Sequence, residues 1–219
     1  MQRASLVKAD VDPSKLIVLA ADKHIAASLE VLIELRRADL GIRPISFDVR
    51  RHPESDPGCR TKAVEFLRPL INQYRCALVV FDHEGCGSKA PREEVQQVVE
   101  LQLERNGWQG RSKAIVIAPK LDSWIWSPSA ETAHALGWGR DFDQVRAWLE
   151  EQGLWLGRQS KPTNPKEATR QALQCKRRVL SSALFKELAA SIGFEGCHDP
   201  AFNELQRTLQ DWFPPYDDQ

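Results

Sequence analysis

Four apolar, β-branched runs are spaced through the first 120 residues, and they constrain the fold more than any other feature. They are "KLIVLA" (15–20), "RPISFDV" (43–49), "CALVVFD" (76–82) and "KAIVIA" (113–118). Each is nearly continuous in apolar residues at its centre, the pattern of strands buried on both faces of a parallel sheet. Helical patterns lie between them. Ile25, Leu29, Leu32 and Ile33 recur at helical spacing within 25–38, and Val64, Leu67, Leu70 and Ile71 within 59–74. Pro69 is expected to kink the second of these or start its final turn. The third, 91–108, opens on Pro91 followed by acids and closes at Asn106-Gly107, which are helix start and stop signals. Such alternation predicts right-handed crossovers and an α/β core, a mostly parallel four-stranded sheet flanked by helices.

In sheets of this kind ligands bind outside the carboxyl ends of the strands. The expected exits are Asp22-Lys23-His24, Asp48-Val49-Arg50, Asp82-His83-Glu84 and Pro119-Lys120-Leu121-Asp122, and every one carries an acid. A single acid there is explained by capping the next helix. Convergence of four is not explained so simply. Asp82 and Glu84 form a D-x-E pair followed by Gly85 and Gly87. The pair reads either as a solvated turn or as hard oxygen ligands for a divalent ion. Magnesium, or manganese in its place, takes one or two carboxylates together with water and substrate phosphates. Asp82, Glu84 and an acid from a neighbouring exit would supply that set, with Asp122 as a further acid. Lys23 or Lys120 would stabilise charge developing on a phosphate.

Other chemistries find less support. The glycines form neither G-x-x-x-x-G-K-[ST] nor G-x-G-x-x-G, which disfavours nucleotide binding by those routes. Cys59, Cys76, Cys86, Cys175 and Cys197 are scattered and form no C-x-x-C pair, against zinc or a disulfide framework. Cys86 beside His83 reads as an incidental thiol rather than a nucleophile. With 30 basic and 30 acidic residues among 219, the formal charge is zero, against a strong free-standing nucleic-acid binder. A local basic segment remains. From Arg158 to Arg178 seven basic residues face only Glu167, and Lys161, Lys166, Arg170 and Arg177 are the candidates for contacting a nucleic-acid backbone. A solvated helix face or a contact for an acidic partner explains them equally well.

No apolar run approaches the roughly 20 residues of a membrane span, and "MQRASLVKADVDPS" lacks the apolar region of a signal peptide. The expectation is a cytoplasmic protein with no membrane partner. Trp124 and Trp126 flank Ile125 on a stretch of strand-like alternation, and core filling is favoured over base stacking. Beyond them the texture turns helical, near 142–155, 165–175, 180–192 and 200–213, with a connecting loop across 153–168 and a loose tail, "PPYDDQ". The expected organisation is an α/β core over 1–127 and a helical carboxyl-terminal region over 128–219 packed on it.

A strand ending in an acid, a helix, and a later strand ending in D-x-E resemble Toprim domains, the metal-binding modules of topoisomerases, primases and related nucleases. The resemblance implies Asp22 at the position of the first-strand Glu and Asp82 with Glu84 at that of D-x-D. Asp22, Asp82 and Glu84 would then be ligands of Mg2+ or Mn2+. Here Asp22-Lys23 replaces the usual Glu-Gly. "DPGCRTKAVEFLRP", "ALVVFDHEGCG", "IVIAPKLDSWIWS", "KPTNPKEA" and "CHDPAFNELQRTLQDWF" are similar to the fourth component of the bacterial methylation-associated defence system. That resemblance implies an anti-phage setting with other proteins of the system, and DNA or RNA, as partners. Two readings stand: a Mg-dependent nuclease or phosphoryl-transfer subunit, and a non-catalytic adaptor for a protein or nucleic acid. A flavodoxin-like binder of a small anionic ligand is a weaker third.

Overall fold

The computed structural model describes residue 12 and residues 14–191 and 199–216. The expectations for the amino-terminal stretch before residue 12, for Cys197 and for the last three residues of the tail lie outside the described residues. Strands β1 (Lys15–Ala20), β2 (Ser46–Arg51), β3 (Cys76–Asp82) and β4 (Ser112–Ile117) form one sheet. All pairings are parallel, in the order β2-β1-β3-β4, so every strand delivers its carboxyl end to the same edge. Helices α1 (Lys23–Leu35), α2 (Arg37–Leu40), α3 (Ser55–Leu67) and α4 (Arg92–Leu103) make the connections. This is the α/β architecture expected of the alternating pattern, and it is consistent with a Toprim-like fold.

Position in the sheet decides how each strand reads. All seven residues of the central β3 are buried, as an unbroken apolar run requires. β2 lies at the sheet edge and does not fit that description. Its half-buried Phe47 and Val49 alternate with exposed Ser46, Asp48 and Arg50, because only one face of an edge strand is covered. β2 also continues to Arg51, which corrects the expectation that Asp48 stands at a strand exit. Asp48 pairs in register with Ile17, well short of the edge, and its Oδ2 accepts the Tyr74 hydroxyl at 2.6 Å.

The helix punctuation follows its local chemistry. Pro69 sits inside a single 3-10 turn, Arg68–Leu70, that closes α3. Asn106 and Gly107 leave the helical region after α4, and Gly107 takes φ 93°, a conformation that costs glycine little. Past β4 the stretch Leu121–Trp124 is a 3-10 turn rather than an alternating strand. The indoles of Trp124 and Trp126 serve the core. Trp126 is buried edge-on against Trp155, and its Nε1–H donates to Pro165 O at 3.2 Å.

Helices α5 (Ala130–Ala135), α6 (Phe142–Glu151), α7 (Pro165–Cys175), α8 (Ser182–Ser191) and α9 (Pro200–Trp212) complete the described chain. One apolar core runs through both parts, from Leu16 in β1 to Phe213 after α9. Polar ties cross the same boundary. Glu204 of α9 accepts from Lys113 Nζ of β4 at 2.8 Å and from Gln96 Nε2 of α4 at 2.6 Å. Arg36 donates to the carbonyls of Ala189 and Ala190 at the end of α8. Among the described residues, no helix is long and apolar enough to cross a membrane. Cys59, Cys76 and Cys86 are buried free thiols, and Cys175 is an exposed one.

Candidate active site

Three aspartates meet at the carboxyl edge, each delivered by a different crossover. Asp22 follows β1 and is the N-cap of α1. Its Oδ1 accepts from the N–H groups of His24 and Ile25 at 2.8 and 2.9 Å, satisfying donors that a helix start leaves open. Asp82 is the last residue of β3 and is buried. Its Oδ1 accepts from Leu121 N at 2.8 Å, which fastens the turn after β4 to the end of β3. Asp56 lies in the first turn of α3, and its Oδ1 accepts from Asp82 N at 2.8 Å. In all three, Oδ1 is engaged by backbone N–H groups. The contacts from the neighbouring backbone all reach Oδ1 rather than Oδ2.

The electrostatics record the crowding. Burial, followed by the field of Asp56 and a smaller contribution from Asp22, pushes the Asp82 carboxyl up to about 8. The Leu121 N–H bond and Lys120 oppose that rise without cancelling it. Burial also raises Asp56, with Asp22 adding to the shift and Lys120 opposing it. Two or more carboxylates confined in a partly desolvated site cannot all ionise cheaply. A cluster of such perturbed acids is where a cation or a proton is expected to reside.

Sequence reasoning misses Asp56 because it sits in "RHPESDPGC", where Pro, Asp and Gly together read as a turn. The available signal is an acid a few residues beyond the end of β2. Glu84, by contrast, faces solvent. Its side chain is 66% exposed, with Oε2 3.9 Å from Lys120 Nζ. Lys120 itself donates to the Glu84 carbonyl at 2.9 Å. Lys23 is exposed at the start of α1.

Asp122 is buried in the 3-10 turn after β4, and its Oδ1 has no hydrogen-bond partner among the described residues. Burial raises its carboxyl, and Lys166, His24 and Lys120 oppose the shift. His24 Nε2 and Ser123 Oγ are likewise buried without partners, and the His24 ring stacks on Phe185. Burial lowers His24, which favours its neutral form. Lys120 is thus felt at Asp82, Asp56 and Asp122 alike.

The four basic candidates divide. Lys161 Nζ is 2.8 Å from Oδ2 of the buried Asp199, and Arg170 forms a two-point contact with Glu167. Lys166 and Arg177 are exposed and have no ion-pair partner among the described residues. Trp124, the other indole considered for base stacking, donates from Nε1 to Asp199 Oδ1 at 3.1 Å and meets Phe202 edge-on.

Among the described residues, no group of three or more His, Cys, Asp and Glu side chains is arranged to hold a metal ion by itself. The donor set therefore does not suit a fully protein-ligated ion. It does suit a largely hydrated Mg2+, which needs only one or two carboxylates and keeps its waters. Gly85 brings an acid and a base of the site to one point on the loop. A Cβ built there would come within 4 Å of Asp56 Oδ2 and Lys120 Nζ and of nothing else outside the adjacent residues. The chain matches no family model, and no curated protein or solved structure resembles it closely enough to establish a relationship.

Proposed function

We propose that the carboxyl edge of the sheet is a Toprim-like, Mg2+-dependent phosphoryl-transfer site acting on a nucleic acid, in the manner of a nuclease. The observation that carries this reading is the convergence of Asp22, Asp56 and Asp82, each with Oδ1 occupied by backbone N–H groups. A rigid first oxygen fixes the second, which is the preorganisation that hydrolytic sites require. Asp82 and Asp56 would hold the ion, with Asp22 accepting from its water shell. A divalent cation there would neutralise phosphate charge and lower the pKa of a bound water. Lys120, tethered to the Glu84 carbonyl, would face charge developing on the phosphate. The anti-phage setting and the partner proteins rest on the sequence resemblance alone.

The test is hydrolysis of labelled single- and double-stranded DNA and RNA with Mg2+ or Mn2+. Asp82→Asn and Asp56→Asn are each expected to lower the rate by at least about 100-fold while the fold is retained. One observation favours the second reading, that of an adaptor. Capping α1 already accounts for Asp22 in structural terms. A wild-type protein that hydrolyses none of the four substrates and binds no Mn2+ would establish that alternative over the first.

A further inference from the structure

The loop after β3 holds a feature that the aspartate cluster does not explain. Gly85 and Gly87 take φ 107° and 78°, and two cations hold the loop through its carbonyls. Lys120 Nζ donates to the carbonyl of Glu84 at 2.9 Å. Arg60, half-buried on α3, donates from Nε to the carbonyl of Cys86 at 2.6 Å. Among the described residues, neither Nη atom of Arg60 has an acceptor, so its guanidinium is positioned but its outer edge is unused. A Cβ at Gly87 would come 3.6 Å from Arg60 Nη2, and one at Gly85 would come 3.7 Å from Lys120 Nζ. With no side chains at Gly85 and Gly87, these two cations border the loop backbone directly.

We propose that Arg60 and Lys120, across the Gly85–Gly87 backbone, form a seat for a phosphate group of a polynucleotide strand. Guanidinium and phosphate match geometrically when two N–H groups remain free. A glycine backbone lets an anion approach N–H groups closely. Asp56 Oδ2 borders Gly85 as well and repels an anion there. The phosphate therefore sits toward Gly87 and Arg60, with Lys120 screening the carboxylate. This inference rests on the phosphoryl-transfer reading for its substrate class, and it adds the residue that would hold the strand beside the aspartates.

The experiment measures anisotropy of a fluorescein-labelled single-stranded oligonucleotide in EDTA, so that no metal contributes. The key variant is Arg60→Gln, which keeps a donor for the Cys86 carbonyl and removes the charge; thermal melting checks that the loop is intact. Arg60→Gln is expected to weaken binding about 10-fold and to make the salt slope shallower by about 0.7, the value for one single-strand phosphate contact. Arg60→Lys should restore the slope but only part of the affinity. Inorganic phosphate in competition separates the two sources of the ligand. Displacement at millimolar levels shows a seat that also takes free phosphate, and no displacement shows one that needs the strand. Equal affinity and slope for wild type and Arg60→Gln, or no binding by the wild type, would overturn the proposal. Asp82→Asn separates this failure from that of the metal reading, since it should lose hydrolysis while binding the oligonucleotide at least as well in EDTA.

Discussion

The backbone N–H of Asp82 donates to Oδ1 of Asp56 at 2.8 Å, so the first turn of α3 holds the end of β3 through a carboxylate. The same contact sets a second negative charge against a buried acid whose carboxyl already rises to about 8. Local order and electrostatic cost therefore arise from one interaction, and pH, metal and substitution act on them differently.

Stability against pH in metal-free protein isolates the cost. The Asp82 carboxyl titrates near 8 in the folded chain and near its ordinary value of about 4 when unfolded. Between those values the folded state binds the extra proton, so stability falls as pH rises from about 4 to about 8 and levels off above. Asp82→Asn keeps an oxygen for Leu121 N–H and removes the charge. It should flatten that slope and stabilise the protein at high pH by on the order of a few kcal/mol. Urea melts across this range decide it; parallel curves for the two proteins would show that Asp82 carries no such cost.

A divalent ion reverses the balance that disfavours ionised Asp82. Mn2+ binding should release protons, and it should tighten by about 10-fold for each unit that pH rises toward about 8, then level off. Calorimetry in buffers of different ionisation enthalpy measures the proton count directly. Binding with no proton release would place the ion away from Asp82.

Gly58 tests the packing behind Asp56. A Cβ there would lie 2.0 Å from Nδ1 of His52, a buried side chain that accepts from Glu54 N at 3.1 Å. Burial lowers His52 and so favours the neutral ring that can accept this bond. Gly58→Ala must displace the ring, at a cost of about 1–3 kcal/mol. The change should also disturb the α3 start that carries Asp56. A melting temperature unchanged from wild type would mean that His52 has room to move.

Much of this architecture is legible in the sequence because long apolar runs force burial. Cys76–Asp82 matches its expected bounds, and the acids at residues 22 and 82 follow from the strand ends. The start of α3 is not legible. Ser55–Gly58 offers no apolar periodicity, and only the neighbouring sheet edge reveals that Asp56 turns back to Asp82. Asp48 misleads for a different reason. β2 is an edge strand whose polar residues continue its alternation to Arg51, so the acid does not mark its end. Trp124 and Trp126 show the same dependence on context. Their alternate spacing suggests a strand, yet the chain forms a 3-10 turn over Leu121–Trp124, from which Trp124 reaches Asp199, and Trp126 beyond it packs against Trp155.

Members of the basic segment differ in what they already do, and substitution should separate them. Asp199 is buried, caps α9 through Ala201 N and Phe202 N, and accepts from Trp124 as well as Lys161. Lys161→Ala would leave that carboxylate without its cation and should destabilise the protein by about 1–3 kcal/mol. Lys166 and Arg177 have no ion-pair partner among the described residues, so replacing both should lower the melting temperature only slightly, through loss of the Lys166 charge that favours ionised Asp122. If they bind phosphates, the double substitution should weaken oligonucleotide binding alike across sequences. It should also flatten the logarithmic salt slope by about 1.4 for single strands, at about 0.7 for each phosphate no longer neutralised. Anisotropy titrations between low and moderate salt, run beside thermal melts, measure both effects. A large loss of stability without a change in slope would assign these two residues to the fold, and an unchanged slope with only a slight loss would make them a solvated face.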